Sequence, residues 1–373
     1  MRKGHFPDGC HAGSGRYFDI RYSLFDIRYS LFLLLVLSAA LLLMPGCKDS
    51  SSAGAGRSAT TQPAGELVVY YSLDEEVAAP ILARFQKETG IKVSARGDTE
   101  AAKTVGLIQR LRAEKSAPMA DVFWSSEVFY TIALANEGVL APYTSTATAG
   151  WPAAMVGKEN RWYGLALRYR VIAYNTVRVK PDEAPRTLED LLDAKWKGRL
   201  VMARPLAGTT SSDVASWFAH YGAPRARAIL TGLAQNRVQL VAGNSTSVRM
   251  VAQGQADIGL TDSDDVFAAQ RNGWPVAYNV LDQGGEGPLA IPNSIALVAG
   301  APHVQAAARF IDFVLGGAVE RILAESYSRN MPVAAPLAAE FTSHRLAEPL
   351  KVDLAGVAEK LPEARAATQE ILP

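Results

Sequence analysis

Residues 66–96 read ELVVYYSLDEEVAAPILARFQKETGIKVSAR. The stretch opens on a β-rich apolar run, ELVVYYS (66–72). Val77, Ile81, Leu82 and Phe85 then recur at helical spacing, which predicts a helix with one buried face over Asp74 to Thr89. Gly90 stands where a helix stops in a left-handed residue. IKVSAR (91–96) is strand-like again. Strand, helix and strand in this order make a parallel β-α-β unit. The pattern continues outward: a helix over Ala101 to Glu114, the strand ADVFW (120–124), and a helix near 128–137 closed by Gly138. Further on, RVIAYN (170–175), GRLVMA (198–203), VQLVA (238–242), ADIGL (256–260) and SIALVAG (294–300) read as strands. Helices are expected at Thr210–Tyr221, Ala226–Leu233, 246–253, 264–271, 303–316 and 354–370. Thr187 with Asp190 three residues on reads as an N-cap with a variant capping box. The class is α/β, with mixed or parallel sheets covered by helices. Pro288, Pro292 and Asn293 interrupt the pattern. Two α/β units are therefore expected, joined near 164–170 and again near 288–294, with a hinged cleft between them.

The chain has 373 residues, with 38 Lys+Arg against 37 Asp+Glu. So balanced a charge argues against a nucleic-acid partner, which needs a basic surface. LFLLLVLSAALLL (31–43), preceded by Arg21 and Arg28, suits the core of a signal peptide better than a membrane span. It runs into Met44-Pro45-Gly46-Cys47, which resembles a lipoprotein cleavage site with Cys47 as the lipidated residue. An ordinary secretory signal with an incidental cysteine is the alternative. Residues 48–65, rich in Ser, Ala, Gly and Thr, read as a flexible tether. With Cys10 upstream of that site, a disulfide and a Cys-based zinc site are excluded in the mature domain. FDIRYSL occurs twice in tandem, at 18–24 and 25–31, without a physical reason we can give. Residues 1–47 are therefore set aside as a lipoprotein signal peptide, which places the mature domain in the periplasm or another extracytoplasmic space.

In parallel sheets, ligands bind outside the carboxyl ends of the strands. Past the first strand stand Tyr71, Ser72 and Asp74; past the third, Ser126 and Glu127. AGTTSS (207–212) and GNSTS (243–247) place Gly208, Thr209, Thr210, Asn244 and Ser245 at helix starts, where free N–H groups and the helix dipole favour an anion. Plain N-capping by Ser and Thr explains the same residues. Arg168 and Arg170 bracket Tyr169 at the first crossing, one of them placed to pair with an anion or with the acidic loop, or else to form a salt bridge or pack its stem on the sheet. The loop GLTDSDDV (259–266) sets Asp262, Asp264 and Asp265 within four positions. Such carboxylates suit a hard cation or an ammonium; an N-cap with acids in the first helical turn accounts for some of them. Asp262 and Asp264 also fit the Asp-x-Asp of a metal-dependent glycosyltransferase. Against that reading, and against an enzyme in general, no nucleophile elbow, phosphate loop or His-Glu-x-x-His occurs, and the mature region has only His220, His303 and His344.

YYSLDEEVAAPILARFQKETGIKV, ADVFWSSE, TLEDLLDAKWKGRLVMARP, GQADIGLTDSDD and SIALVAGAPHVQAAARFIDFVL together resemble the bacterial extracellular solute-binding proteins of ABC importers, in the branch that binds ferric iron. The resemblance spans about 66–335. It implies a periplasmic-binding-protein fold, with one lobe of 66–167 and 294–345 and another of 168–293 and 346–373. It also implies a monomer that hands its cargo to a permease and an ATPase, without catalysis and without a cofactor other than Fe3+ carried as cargo. In that branch two adjacent tyrosines, a His and a Glu hold iron beside a small anion. Here the tyrosine positions carry Asp264 and Asp265, the His position Asp74, and the Glu position Ser126 with Glu127 beside it. The anion loops fall on Gly208, Thr209, Thr210 and Asn244. The expectation is a lipid-anchored binding protein that takes ferric iron or a similar hard cation through Asp74, Asp262, Asp264 and Asp265, with Glu127 assisting. An accompanying anion would lie against Gly208–Thr210 and Asn244, with Tyr71, Ser72, Arg168 and Ser245 beside it. A zwitterion such as an aminophosphonate is the alternative, its amine facing the acids.

Overall fold

The computed structural model describes residues 65–98 and 105–372. The signal segment, Cys47 and the start of the helix expected from Ala101 lie outside them. The opening stretch folds as read: β1 (Glu66–Tyr71), α1 (Glu75–Thr89) and β2 (Lys92–Gly97). Val77, Ile81, Leu82 and Phe85 form the buried face of α1, and Gly90 ends it at φ 72°. Then come α2 (Val105–Ala113), β3 (Val122–Ser125), α3 (Phe129–Asn136), β4 (Leu140–Ala141) and β5 (Tyr163–Asn175). The chain continues through β6 (Leu200–Ala203), α4 (Gly208–Tyr221), α5 (Ala223–Gln235), β7 (Gln239–Val241), α6 (Asn244–Ala252), β8 (Ile258–Asp262) and α7 (Ser263–Arg271). It closes with β9 (Val276–Val280), β10 (Ala290–Val298), α8 (Val304–Leu315), α9 (Ala318–Glu325), α10 (Ala335–Glu340) and α11 (Leu354–Ile371).

The strands run in the order β2-β1-β3-β10-β5-β8-β6-β7, with β4 paired to β10 and β9 to β5. The β1–β2, β1–β3, β6–β7 and β6–β8 pairs are parallel; β10 and β5 pair antiparallel with their neighbours. β5 starts at Tyr163 rather than at the expected Arg170, and its two ends do different work. Its first part, Tyr163–Tyr169, pairs with β10, while Arg170–Asn175 runs between β8 and β9. The β5–β10 register shifts between Pro292 and Asn293, where proline has no N–H to donate.

Two departures from the expected elements have local causes. The Thr187–Asp190 box forms: Asp190 N–H donates to Thr187 Oγ1 at 3.1 Å and Thr187 N–H to Asp190 Oδ2 at 3.0 Å. It opens only a short turn, Asp190–Leu192, because Asp193 then caps a second turn, Ala194–Trp196, through Lys195 N–H at 2.9 Å. β9 follows a Gly-Trp-Pro turn and was not anticipated; its one fully buried residue, Val276, gives no alternating pattern to read.

Helix α8 packs over the sheet through Phe310, which sits edge-on to Phe85 at 5.0 Å and to Trp124 at 5.9 Å. Trp217 of α4 and Leu230 of α5 are fully buried as well. α11 lies against α4, α3 and α5.

Candidate functional site

The loops past β1, β3, β6, β7 and β8 converge on one cavity of about 100 Å³. That volume has room for an ion with a small oxyanion or for a compact organic anion. Ser72, Asp74 and Ser126 line it from the loops after β1 and β3, and Asn293 from β10. Arg168, Arg204, Gly208, Thr209, Thr210, Asn244, Ser245, Asp262, Asp264 and Asp265 line the facing wall. Ser328 and Asn330 come from the segment after α9.

The acidic corner is built by pairing β8 with β5, which sets Asp262 opposite Arg170. Arg170 is fully buried; its Nη1 donates to Asp262 Oδ1 at 2.6 Å and its Nε to Asp213 Oδ2 at 3.0 Å. Asp262 Oδ2 accepts from Thr209 Oγ1 at 2.5 Å and from Asn244 Nδ2 at 2.9 Å. Both oxygens of Asp262 are thus committed to the protein. Burial pushes its carboxyl up, but Arg170 and Arg168 outweigh burial and hold it below its ordinary pKa. Arg168, two residues along the same face of β5, puts Nε 3.3 Å from Asp262 Oδ2 and 3.8 Å from Asp264 Oδ2. Burial works against its charge, Asp264 and Asp262 more than offset that, and its pKa is raised. Asp262, Asp264 and Asp265 each bring a carboxylate oxygen within 4.8 Å of the others. Asp264 and Asp265 occupy the first turn of α7.

At both helix starts the expected Ser/Thr capping does not form. α4 is preceded by Ala207 and α6 by Gly243, and neither N-cap makes a side-chain hydrogen bond. Thr209 and Thr210 lie inside α4, and Asn244 opens α6. Their side chains bond one another: Asn244 Nδ2 donates to Thr209 Oγ1 at 2.8 Å and Thr210 Oγ1 to Asn244 Oδ1 at 3.0 Å. These residues lock two helix starts side by side, which leaves the anion-binding capacity to backbone N–H groups and the helix dipoles. Gly208 takes φ +58°, a value that side chains disfavour.

Two expected site residues lie elsewhere. Glu127 is fully buried behind the cavity, its carboxylate accepting from the N–H groups of Phe129 and Tyr130 and from Ser212 Oγ. The start of its own helix claims it, and burial raises its pKa to about 7 against those hydrogen bonds. Tyr71 turns its ring onto Gly97, its β2 partner, where an added Cβ would meet the ring at 2.9 Å. Ser72 does line the cavity, and its Oγ accepts from Ser126 N–H at 3.0 Å, tying the ends of β1 and β3 together. Asp74 is the N-cap of α1 without a side-chain cap bond, and Tyr327 Oη donates to its Oδ2 at 3.4 Å. Arg204, Asn293, Ser328 and Asn330 went unread. Arg204 directly follows a strand and carried that signal. Nothing in the spacing links 328–330 to the site; the isolated bridge between Leu167 and Met331 and the Tyr327–Asp74 contact bring the segment there.

The chain is similar in sequence and fold to known proteins. Iron uptake protein A1 of Synechocystis is 27% identical over 308 residues, covering 79% of this chain and 84% of that protein. A putative 2-aminoethylphosphonate-binding periplasmic protein of Salmonella paratyphi A is 30% identical over 253 residues, covering 67% and 72%. The crystal structure of iron-bound HitA from Pseudomonas aeruginosa superposes with a TM-score of 0.73 at 24% identity, over 83% of this chain and 100% of that one. The fold is thus the two-lobe periplasmic-binding-protein fold. The family model described as bacterial extracellular solute-binding protein matches residues 81–347, and this chain belongs to that family.

Proposed function

We propose that this protein is the binding subunit of an ABC importer and captures ferric iron or a similar hard cation together with a small oxyanion. The observation that carries the reading is the clustering of Asp262, Asp264 and Asp265 oxygens within 4.8 Å, in one cavity with two helix starts that have no side-chain cap. Asp264, Asp265 and Asp74 hold the cation as hard oxygen donors. Asp262 orients the corner through its arginines, and the N–H groups at the starts of α4 and α6 take the anion. The similarity to iron uptake protein A1 supports iron. In this reading residues 1–47 are a signal, Cys47 is lipidated and 48–65 tether the domain outside the cytoplasm. The lobes of 66–167 with 294–345 and 168–293 with 346–373 close over the cargo. The monomer then delivers it to the permease and ATPase and catalyses nothing.

A second reading is a zwitterion such as an aminophosphonate. It is favoured by Arg168, whose guanidinium stands 3.8 Å from Asp264 where a metal would need the carboxylate, and by the relative named for 2-aminoethylphosphonate. Among the described residues no tyrosine lines the cavity, so the phenolate ligands of the ferric branch are missing. Calorimetry with the purified chain separates the two. Saturable binding of ferric citrate supports the first reading, and binding of 2-aminoethylphosphonate in the presence of a chelator, with none of ferric citrate, replaces it by the second.

A further inference from the structure

We propose that Asn330 contacts the solute directly, its side-chain amide donating to an acceptor oxygen of the cargo beside the Arg168 guanidinium. This rests on the binding function above and narrows the cargo class. Asn330 lines the cavity at 4% exposure, yet its Nδ2 has no hydrogen-bond partner. Arg168, 6% exposed and lining the same cavity, is by contrast ion-paired, its Nε 3.3 Å from Asp262 Oδ2 and 3.8 Å from Asp264 Oδ2. Buried donors are almost always satisfied in native proteins, so an unpaired amide N–H in the cavity wall points to an acceptor that arrives with the ligand.

The backbone holds the Asn330 amide beside the Arg168 guanidinium. Leu167 and Met331 exchange hydrogen bonds at 2.7 and 2.8 Å, which sets their neighbours Arg168 and Asn330 side by side. The amide is also oriented. Ser328 Oγ donates to Asn330 Oδ1 at 3.2 Å, and Ser328 is itself braced by Ser326, Oγ to Oγ at 2.6 Å. Between Ser328 and Asn330 the chain turns through Arg329 at φ +46°, a strained value for a side-chain-bearing residue. Strain of this kind persists where the surroundings over-determine it. The geometry fits a solute with oxygen acceptors on two sides, one toward the helix starts and one toward Asn330. That describes a chelated metal carboxylate or an organic phosphonate and excludes a bare ion.

Calorimetric titration of the full chain with ferric citrate and with 2-aminoethylphosphonate, in wild type, Asn330→Ala and Ser328→Ala, tests this. The probe that wild type binds should bind about tenfold more weakly to Asn330→Ala and by a smaller factor to Ser328→Ala, which only frees the amide. The ligand-free melting midpoint of Asn330→Ala should stay level or rise, since an unpaired buried donor is removed; a purely structural asparagine would lower it. Unchanged affinity in Asn330→Ala overturns the proposal, with or without a lowered midpoint. If wild type binds neither probe, the function proposed above fails, and native mass spectrometry of the purified chains decides for Asn330. A co-purified mass carried by wild type and lost from Asn330→Ala supports it, and identical masses overturn it.

Discussion

Three aspartates within four positions of the chain share Arg168 as a neighbour but differ in what else they meet. Asp262 is spent on Arg170, Thr209 and Asn244, whereas Asp264 and Asp265 face the cavity. The Asp264→Ala, Asp265→Ala double variant should therefore lose measurable binding by calorimetry while its melting midpoint holds. Retained affinity would reduce the pair to first-turn acids of α7. Asp262→Ala should behave in the opposite way. It strands the buried Arg170 with half its counter-charge and should cost about 3–5 kcal/mol in urea unfolding. Glu127 supplies a pH signature. Its folded pKa of about 7 lies above the ordinary 4.5, so between those values the folded chain holds the extra proton. Stability then falls as pH rises through that window, by up to about 1.4 kcal/mol per pH unit, and levels off above it. Glu320, raised by burial too, adds a slope of the same sign. Comparing melting midpoints of wild type and Glu127→Gln from pH 5 to 8 isolates the Glu127 part; parallel curves would refute it. The acids were legible in the sequence as a cluster. Their division of labour was not, because Arg170 and Asp213 are brought in by strand pairing and by α4.

At the scale of elements, the helix starts carry the anion-binding argument. Ser and Thr before a helix read equally well as caps, and the start of α4 at Gly208 removes the capping reading there. Its N-cap is then Ala207, which has no side-chain acceptor, and the hydroxyls fall inside the helix. A Cβ at Gly208 would meet nothing within 4 Å, so the cost of substitution is purely its φ of +58°. Gly208→Ala should thus lose about 1 kcal/mol of stability. It should also weaken binding of the anionic probe by calorimetry, since the first N–H groups of α4 are re-aimed; intact affinity would move the anion elsewhere. The β-α-β elements were legible because periods of two and near four residues are written in consecutive side chains. β9 and the early start of β5 were not, since their pairing partners, rather than their own pattern, make them strands.

At the scale of the molecule, β5 and β10 are the strands shared by the two halves of the sheet, and the cavity opens beside them. A hinge there predicts that small-angle scattering of the purified chain contracts on adding the ligand that calorimetry identifies; an unchanged radius of gyration would mean a rigid cleft. The sequence by itself determined the α/β class and most of the β-α-β order, because these rest on local periodicity, and a resemblance of whole segments pointed to the family. Only the tertiary structure decided which residues meet. It withdrew Glu127 and Tyr71 from the cavity, bound Asp262 to its arginines and brought Asn330 beside Arg168. Those outcomes depend on contacts between residues far apart in the chain, and burial and counter-charge at such contacts leave no mark on the neighbouring sequence.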